Sequence, residues 1–479
     1  MLTISIILFI IILSFKILKP VYINRISILI SIYCSIILLT IIFNTNVFYN
    51  YGISIYNSLG YISINQIIGQ LIVWFTITLV LLLGESGKTR KNILRSSEYT
   101  LIILLSILGM NFLLISNDLV TMSLAIELIS FPLYISASLY KNDEIYEGLG
   151  FNKNNLSGIY AGLKYLLIGS LGSVFILLGS VFIYGDTGLT NITNIIELLN
   201  IFNNKLEIYK IGSTLIIVGL LLKLGCAPFH NWAPDVYDGV PTIVTTWISI
   251  VPKIPFLIFL SLHPLFIYPL LSNLTLFSSF CSLIIGSIMG LLIFRIKRLL
   301  AYSSIVHLGF ILLSISCIYY INTFTTIFYI VVYVITSINI FFILNSINLS
   351  KNIELLSELK GFVYNNKLLS FSLIISFFSL AGIPPFLGFY SKYFILLDSF
   401  NLEYYFITFI SLLCSVISCV YYLRIIKIIN FDDNIYMNYK SIHLNETISI
   451  VISFFTFLTL TFVLNGNLIF NLFNTPFII

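Results

Sequence analysis

The chain has 479 residues, 59% of them hydrophobic and only 9% charged, with a net charge of +5 and a mean hydropathy of +1.05. Soluble domains carry about 25% charged residues, so too few polar groups exist here to face water all round, and the chain is far too long to be one apolar core. Those numbers exclude a water-soluble protein and leave lipid as the solvent.

A helix that crosses a hydrocarbon layer of ~30 Å needs ~20 apolar residues. Fourteen stretches meet that demand: 2–18, 21–43, 66–84, 98–115, 118–140, 160–184, 208–229, 242–262, 272–294, 299–319, 324–346, 369–397, 404–427 and 446–470. A barrel would instead need alternating strands of ~10 residues. The expected fold is therefore an all-α integral membrane protein of about 14 transmembrane helices. The connection 141–159 reads as a solvated connector of mixed charge, and 185–207 as a polar loop carrying a short helix.

Charge tests the span count independently. With the N-terminus outside, the inward connections hold 18 Lys and Arg and the outward ones only Lys205 and Lys210. Such a bias follows the positive-inside rule, and one missed helix would have scrambled it. Both termini are then expected outside. Six cysteines (Cys34, Cys226, Cys281, Cys317, Cys414 and Cys419) lie scattered with no C-x-x-C pair, so no metal or iron–sulfur ligation is expected. No Gly-rich loop sits between strand and helix, so no nucleotide site is expected either.

What stands out is charge at depth. Glu127 lies roughly 14 Å into its helix, near the bilayer midplane. Lys164, Lys223, Lys253 and Lys392 also fall within spans. A central charge costs ~2.5–3.5 kcal/mol on insertion scales. Buried structural ion pairs are the plain explanation, but one glutamate cannot neutralise four lysines. A desolvated lysine can release its proton near neutral pH, and a neighbouring carboxylate opposes that release. A row of such groups describes a proton relay.

Two spans carry breaks. Span 7 runs into Gly225-Cys226-Ala227-Pro228-Phe229-His230, and span 12 contains Gly382-Ile383-Pro384-Pro385-Phe386. Proline removes a helix hydrogen bond, and freed backbone at depth is tolerated only inside protein or beside a hydrated cavity. Gly225, Pro228 and Phe229 repeat as Gly382, Pro385 and Phe386, five spans later. An odd number of spans predicts two inverted five-helix repeats, with an ion pathway at the breaks.

Glu127, Gly162-Leu163-Lys164-Tyr165, Lys223 before Pro228-Phe229-His230, Pro234-Asp235-Val236-Tyr237, Pro241-Thr242 before Lys253, and Lys297-Arg298-Leu299-Leu300-Ala301-Tyr302-Ser303-Ser304 before His307 together resemble the antiporter-like subunits of respiratory complex I, the proton-pumping NADH:ubiquinone oxidoreductase. Within that family Lys392 resembles the branch with lysine in the twelfth span, not the glutamate branch (subunit 4). The resemblance implies a division into a three-helix segment 1–97, repeats 98–262 and 272–427, and a C-terminal helix 428–479. It implies that Glu127 and Lys223 form the pair gating proton uptake, with Lys164 modulating it. Lys253 becomes the central relay, His307 a water-linked bridge, and Lys392 the terminal group. No cofactor is expected in this chain: NADH, FMN, iron–sulfur clusters and ubiquinone belong to other subunits. The implied partners are the neighbouring antiporter-like subunit 4, the small quinone-side membrane subunits and lipids such as cardiolipin, with no nucleic acid. The Ile, Asn and Tyr excess and the lack of a presequence point to an AT-rich mitochondrial genome, as in a fungus or protist. The inner membrane is then the expected location, with the basic loops in the matrix. The alternatives from other classes are a cation/proton antiporter subunit and a passive scaffold.

Overall fold

The computed structural model describes residues 20–44, 52–84, 98–139, 153–201, 207–263, 269–318, 323–348, 353–432 and 445–474. The expected span 2–18, the basic connection 85–97 and most of the connection 141–159 lie outside them. The described chain is predominantly helical, and nine of its helices are long and apolar enough to cross a membrane. It divides into two compact units, one holding residues 1–85, 89–225 and 251–274, the other 86–88, 226–250 and 275–479.

The first unit contains α1 (Pro20–Asn44), a hairpin of β1 (Ile53–Ile55) and β2 (Gly60–Ile62), α2 (Ile64–Gly84), α3 (Glu98–Ile115), α4 (Leu119–Ser138), α5 (Lys153–Thr187), α6 (Ile192–Ile201), α7 (Glu207–Leu224) and α10 (Lys253–Leu262), which follows α8 (Trp232–Gly239) and α9 (Thr242–Ile250) in the chain. The hairpin departs from the all-helical expectation. Its turn places Tyr56, Asn57 and Ser58 in the left-handed region, at φ 54°, 55° and 66°, which ends any helix; the strands then pair Ile53 with Ile62. Asn117 and Asn191 both donate to the Ser58 carbonyl, at 3.4 and 3.0 Å, which fixes the turn against the starts of α4 and α6.

The tightest packing in this unit is between α5 and α7. Gly172 and Gly179 on one helix face Gly219 and Gly212 on the other. A Cβ on Gly179 would lie 2.4 Å from the Gly212 carbonyl oxygen, and one on Gly219 2.7 Å from that of Gly172. In lipid no hydrophobic drive holds two helices together, so small residues that let backbones touch supply the adhesion instead. The opposite face of α5 exposes Leu163, Leu167, Leu171, Val174 and Val181, as suits contact with acyl chains.

The second unit contains α8, α9, most of α11 (Pro269–Leu292), α12 (Ile296–Cys317), α13 (Phe324–Asn348), a 3₁₀ turn (Leu356–Leu359), α14 (Phe362–Asn365), α15 (Lys367–Ala381), α16 (Leu387–Asn401), α17 (Tyr405–Asn430) and α18 (Glu446–Asn474). α12 and α13 are almost wholly buried. Phe328 and Val332 of α13 pack with Leu387 of α16 and Phe462 of α18, so the core is lined from three helices. At its rim two of the sequence motifs meet. Asp238 of α8 pairs with Arg295 at 2.5 Å and with Arg298 Nε at 2.8 Å, while Lys297 donates to the Val240 carbonyl at 2.6 Å.

Spans 7 and 12 are interrupted where the prolines predict. α7 ends at Gly225 (φ +73°) and α15 at Gly382 (φ +81°), positions that need a residue without a Cβ. The peptide bonds Ala227–Pro228 and Pro384–Pro385 are both cis. Span 8, expected as one helix over 242–262, is interrupted as well: α9 stops at Ile250 and α10 starts at Lys253. Pro252 and Pro255 each lack the N–H that a continuous helix would use there.

Candidate functional site

In the first unit, Glu127 and Tyr134 stand seven residues apart on α4, two turns along one face. Pro132 lies between them and removes one helix hydrogen bond of that segment. Lys223 occupies the last turn of α7 and is 9% exposed. The C-terminal end of a helix favours a cation. The Lys223 ammonium donates to the Tyr134 hydroxyl at 2.9 Å. The half-buried Glu127 acts electrostatically on both Lys223 and Tyr134, and no Glu127–Lys223 ion pair closes among the described residues.

The sequence reading did not name Tyr134. Its surroundings are built for it: Tyr165 meets its ring edge-on at 4.8 Å, and a Cβ on Gly169 would come within 1.9 Å of its hydroxyl. A Cβ on Gly172 would stand 3.5 Å from the Lys223 Cε, an ordinary contact. The available signal was the seven-residue spacing from Glu127. Lys164, next to Tyr165 on α5, is half-buried.

Lys253 is 5% exposed and opens α10, a helix packed against α2, α3 and α7. A helix N-terminus is the unfavourable end for a cation. Lys223 and Lys253 therefore sit at helix ends of opposite polarity.

In the second unit, Lys392 of α16 is 6% exposed. Its ammonium donates to the Leu380 and Ala381 carbonyls, both at 2.9 Å. Those carbonyls belong to the last turn of α15, which leaves its final acceptors without intrahelical partners. Gly382 turns the chain away, its N–H returning to Phe378 and Ser379 at 3.1 and 3.0 Å, and it leaves space for the lysine stem that a Cβ would touch at 2.9 Å. Gly388 brings α16 against the Ser379 carbonyl so closely that a Cβ there would lie 1.8 Å from the oxygen. The break thus creates the acceptors that hold the lysine.

His307 of α12 is 5% exposed. Its Nδ1 lies 2.8 Å from the Tyr329 hydroxyl and its Nε2 3.2 Å from the Tyr422 hydroxyl. A small cavity, ≈10 Å³ for water centres, is lined by His307, Tyr329, Tyr333, Ser379, Ser391 and Lys392 among others; that is room for about one water. The structure therefore brings together Lys223, Tyr134 and Glu127 in one unit, and His307 and Lys392 in the other. His230, beside the first break, turns its Nδ1 toward the Pro228 carbonyl at 3.3 Å, which serves the freed backbone there.

Comparison with known proteins adds a second line of argument. The family described as NADH:quinone oxidoreductase/Mrp antiporter, transmembrane, matches residues 116–418. The chain is 38% identical over 442 residues to NADH-ubiquinone oxidoreductase chain 2 of Rhizopus oryzae, covering 86% of this chain and 82% of that one. It is 36% identical over 342 residues to NADH-quinone oxidoreductase subunit N of Pelagibacter ubique, covering 70% and 69% of the two chains. A chain of respiratory complex I from Thermus thermophilus shares the fold, with a TM-score of 0.78 at 23% identity over 98% of both chains. So does a chain of the Mrp complex from Dietzia, at a TM-score of 0.82, 15% identity and coverage of 99% and 95%.

Proposed function

Because the chain belongs to the NADH:quinone oxidoreductase/Mrp antiporter family as an antiporter-like subunit of complex I, we propose that it works as subunit 2 of the membrane arm, translocating protons through the buried lysines in step with quinone reduction elsewhere in the complex. The observation that carries this reading is that Lys223, Lys253 and Lys392 are each at most 9% exposed in a chain whose spans carry few other charges. An ammonium so placed is expensive unless it is held by acceptors, and it is functional by default.

Each group has a distinct task in this reading. Glu127 favours the charged form of Lys223, and Tyr134 supplies a hydroxyl that accepts from the ammonium and can pass a hydrogen bond onward. Moving Glu127 relative to Lys223 would alter how firmly the lysine holds its proton. Lys164 modulates that pair and Lys253 is the central relay. Lys392, gripped by two carbonyls, is the terminal group, and His307 serves it across the shared cavity. NADH oxidation, FMN, the iron–sulfur clusters and ubiquinone belong to other subunits. The fourteen-span count, the inverted repeats and the two-termini-outside topology belong to the same proposal, as does residence in the mitochondrial inner membrane beside subunit 4 and the small quinone-side subunits, with cardiolipin among its lipids.

The test is Lys223→Met in the assembled complex, with proton pumping and inhibitor-sensitive NADH:quinone turnover recorded together. Loss of both with assembly intact is the expected result. Unchanged turnover with an unchanged proton-to-electron ratio would mean that the subunit is a passive scaffold.

A further inference from the structure

His307 is held differently from the lysines: both of its ring nitrogens face a phenol, from two different helices. A neutral imidazole offers one donor and one acceptor, an imidazolium two donors, and a tyrosine hydroxyl can take either part. Each phenol can therefore reverse its role when the imidazole gains or loses a proton, and neither nitrogen is left without a partner in any state. Two fixed donors or two fixed carbonyls would have locked one charge state. The groups that face the ring are Tyr329 and Tyr333 from α13, Tyr422 from α17 and, across the cavity, Lys392 from α16. The phenols are themselves held in place: the Tyr422 ring packs on Tyr421 at 4.4 Å and on Phe377 at 6.0 Å, and Tyr329 stacks on Phe310 at 6.1 Å.

We propose that Tyr329 and Tyr422 are positioning residues that make His307 a through-carrier, loading a proton at one ring nitrogen and unloading another from the opposite one into the cavity shared with Lys392. This rests on the relay reading and adds to it two residues and a direction. The ring begins neutral, with its proton on Nδ1 and Nε2 accepting from Tyr422. An incoming hydronium protonates the Tyr422 oxygen as that hydroxyl gives its own proton to Nε2, forming the imidazolium. Nδ1 then gives its proton to the Tyr329 oxygen as the Tyr329 hydroxyl proton passes to the cavity, to water or to the neutral amine of Lys392. One proton has entered and one has left, both phenols are unchanged, and the imidazole holds its proton on Nε2. The starting tautomer returns when water accepts the Nε2 proton and a proton is delivered to Nδ1 along the same water chain, a step in which no net proton is gained or lost.

The experiment compares Tyr329→Phe and Tyr422→Phe with Lys392→Met in the assembled complex reconstituted into vesicles. Proton-to-electron ratio and the pH profile of coupled turnover are recorded for each. Phenylalanine keeps the ring and removes only the hydroxyl. The expected result is a tenfold or greater loss of coupled turnover in both tyrosine variants, with the acidic limb of the profile displaced. A uniform fall with the profile unmoved would show that the tyrosines only pack, and overturns the proposal. Wild-type behaviour of both variants while Lys392→Met loses pumping overturns it too and leaves the relay standing; wild-type behaviour of all three overturns both readings. The two tyrosines sit on different helices, so a failure of one variant to assemble leaves the other to decide.

Discussion

Gly388→Ala should dislodge Lys392 without touching it. The new Cβ would lie 1.8 Å from the Ser379 carbonyl oxygen, whereas ordinary contact begins near 3.4 Å. α15 and α16 must therefore separate by the difference, about 1.6 Å. The two lysine hydrogen bonds span that same gap at 2.9 Å. Opened by such an amount they pass beyond hydrogen-bond reach. Overpacking of this kind costs about 1–3 kcal/mol, and each lost bond to a charged group about 1.5–3 kcal/mol. The lysine's present seat should thus be disfavoured by on the order of 5 kcal/mol, more than enough to empty it. Native gels should still show assembled complex, because the contact is local, while the proton-to-electron ratio falls. An assembled Gly388→Ala complex that pumps normally would refute the argument that the carbonyls of the broken helix hold Lys392 in its working place.

Gly169→Ala puts a Cβ 1.9 Å from the Tyr134 hydroxyl and should break its bond to Lys223, lowering coupled turnover roughly as a Tyr134→Phe variant does; normal turnover would show that the hydroxyl is dispensable. Asp238→Asn removes the shared partner of Arg295 and Arg298. Both arginines are about half exposed, so the expected cost is only ~1 kcal/mol, read as a lower thermal midpoint of the assembled complex. That difference should shrink in high salt, where exposed pairs are screened.

The helical architecture was legible because the bilayer allows so few solutions. Where every backbone group must be satisfied within its own segment, a run of apolar residues specifies a helix almost by itself, and helices appear over thirteen of the fourteen expected stretches. The breaks at Gly225 and Gly382 were legible for the converse reason, since a glycine followed within three residues by proline is conspicuous in such a run. The interruption before Lys253 was overlooked because its two prolines stand apart, at 252 and 255, with no glycine to mark a left-handed turn. The hairpin at 53–62 fell in a connection of mixed polarity, too short and too interrupted to register as a span. Among site residues, charges betrayed themselves by cost. The tyrosines did not: with 30 in the chain, nothing in composition sets Tyr134, Tyr329 or Tyr422 apart from those at a lipid interface, and their roles emerge only from which nitrogen each hydroxyl meets.

The glycines between α5 and α7 bear on how this sequence can drift. The chain is rich in isoleucine, asparagine and tyrosine, and were its gene rich in A and T, mutation would press glycine codons toward other residues. On the lipid face of α5 such exchanges are nearly free, because one aliphatic side chain replaces another in a fluid solvent. At Gly172, Gly179, Gly212 and Gly219 the neighbour is a backbone or a rigid branched side chain, which cannot move aside as a lipid does. Mutational pressure should therefore write a one-sided record on α5, with identities changing outward while the inward ladder, which also steadies the stem of Lys223, stays as it is.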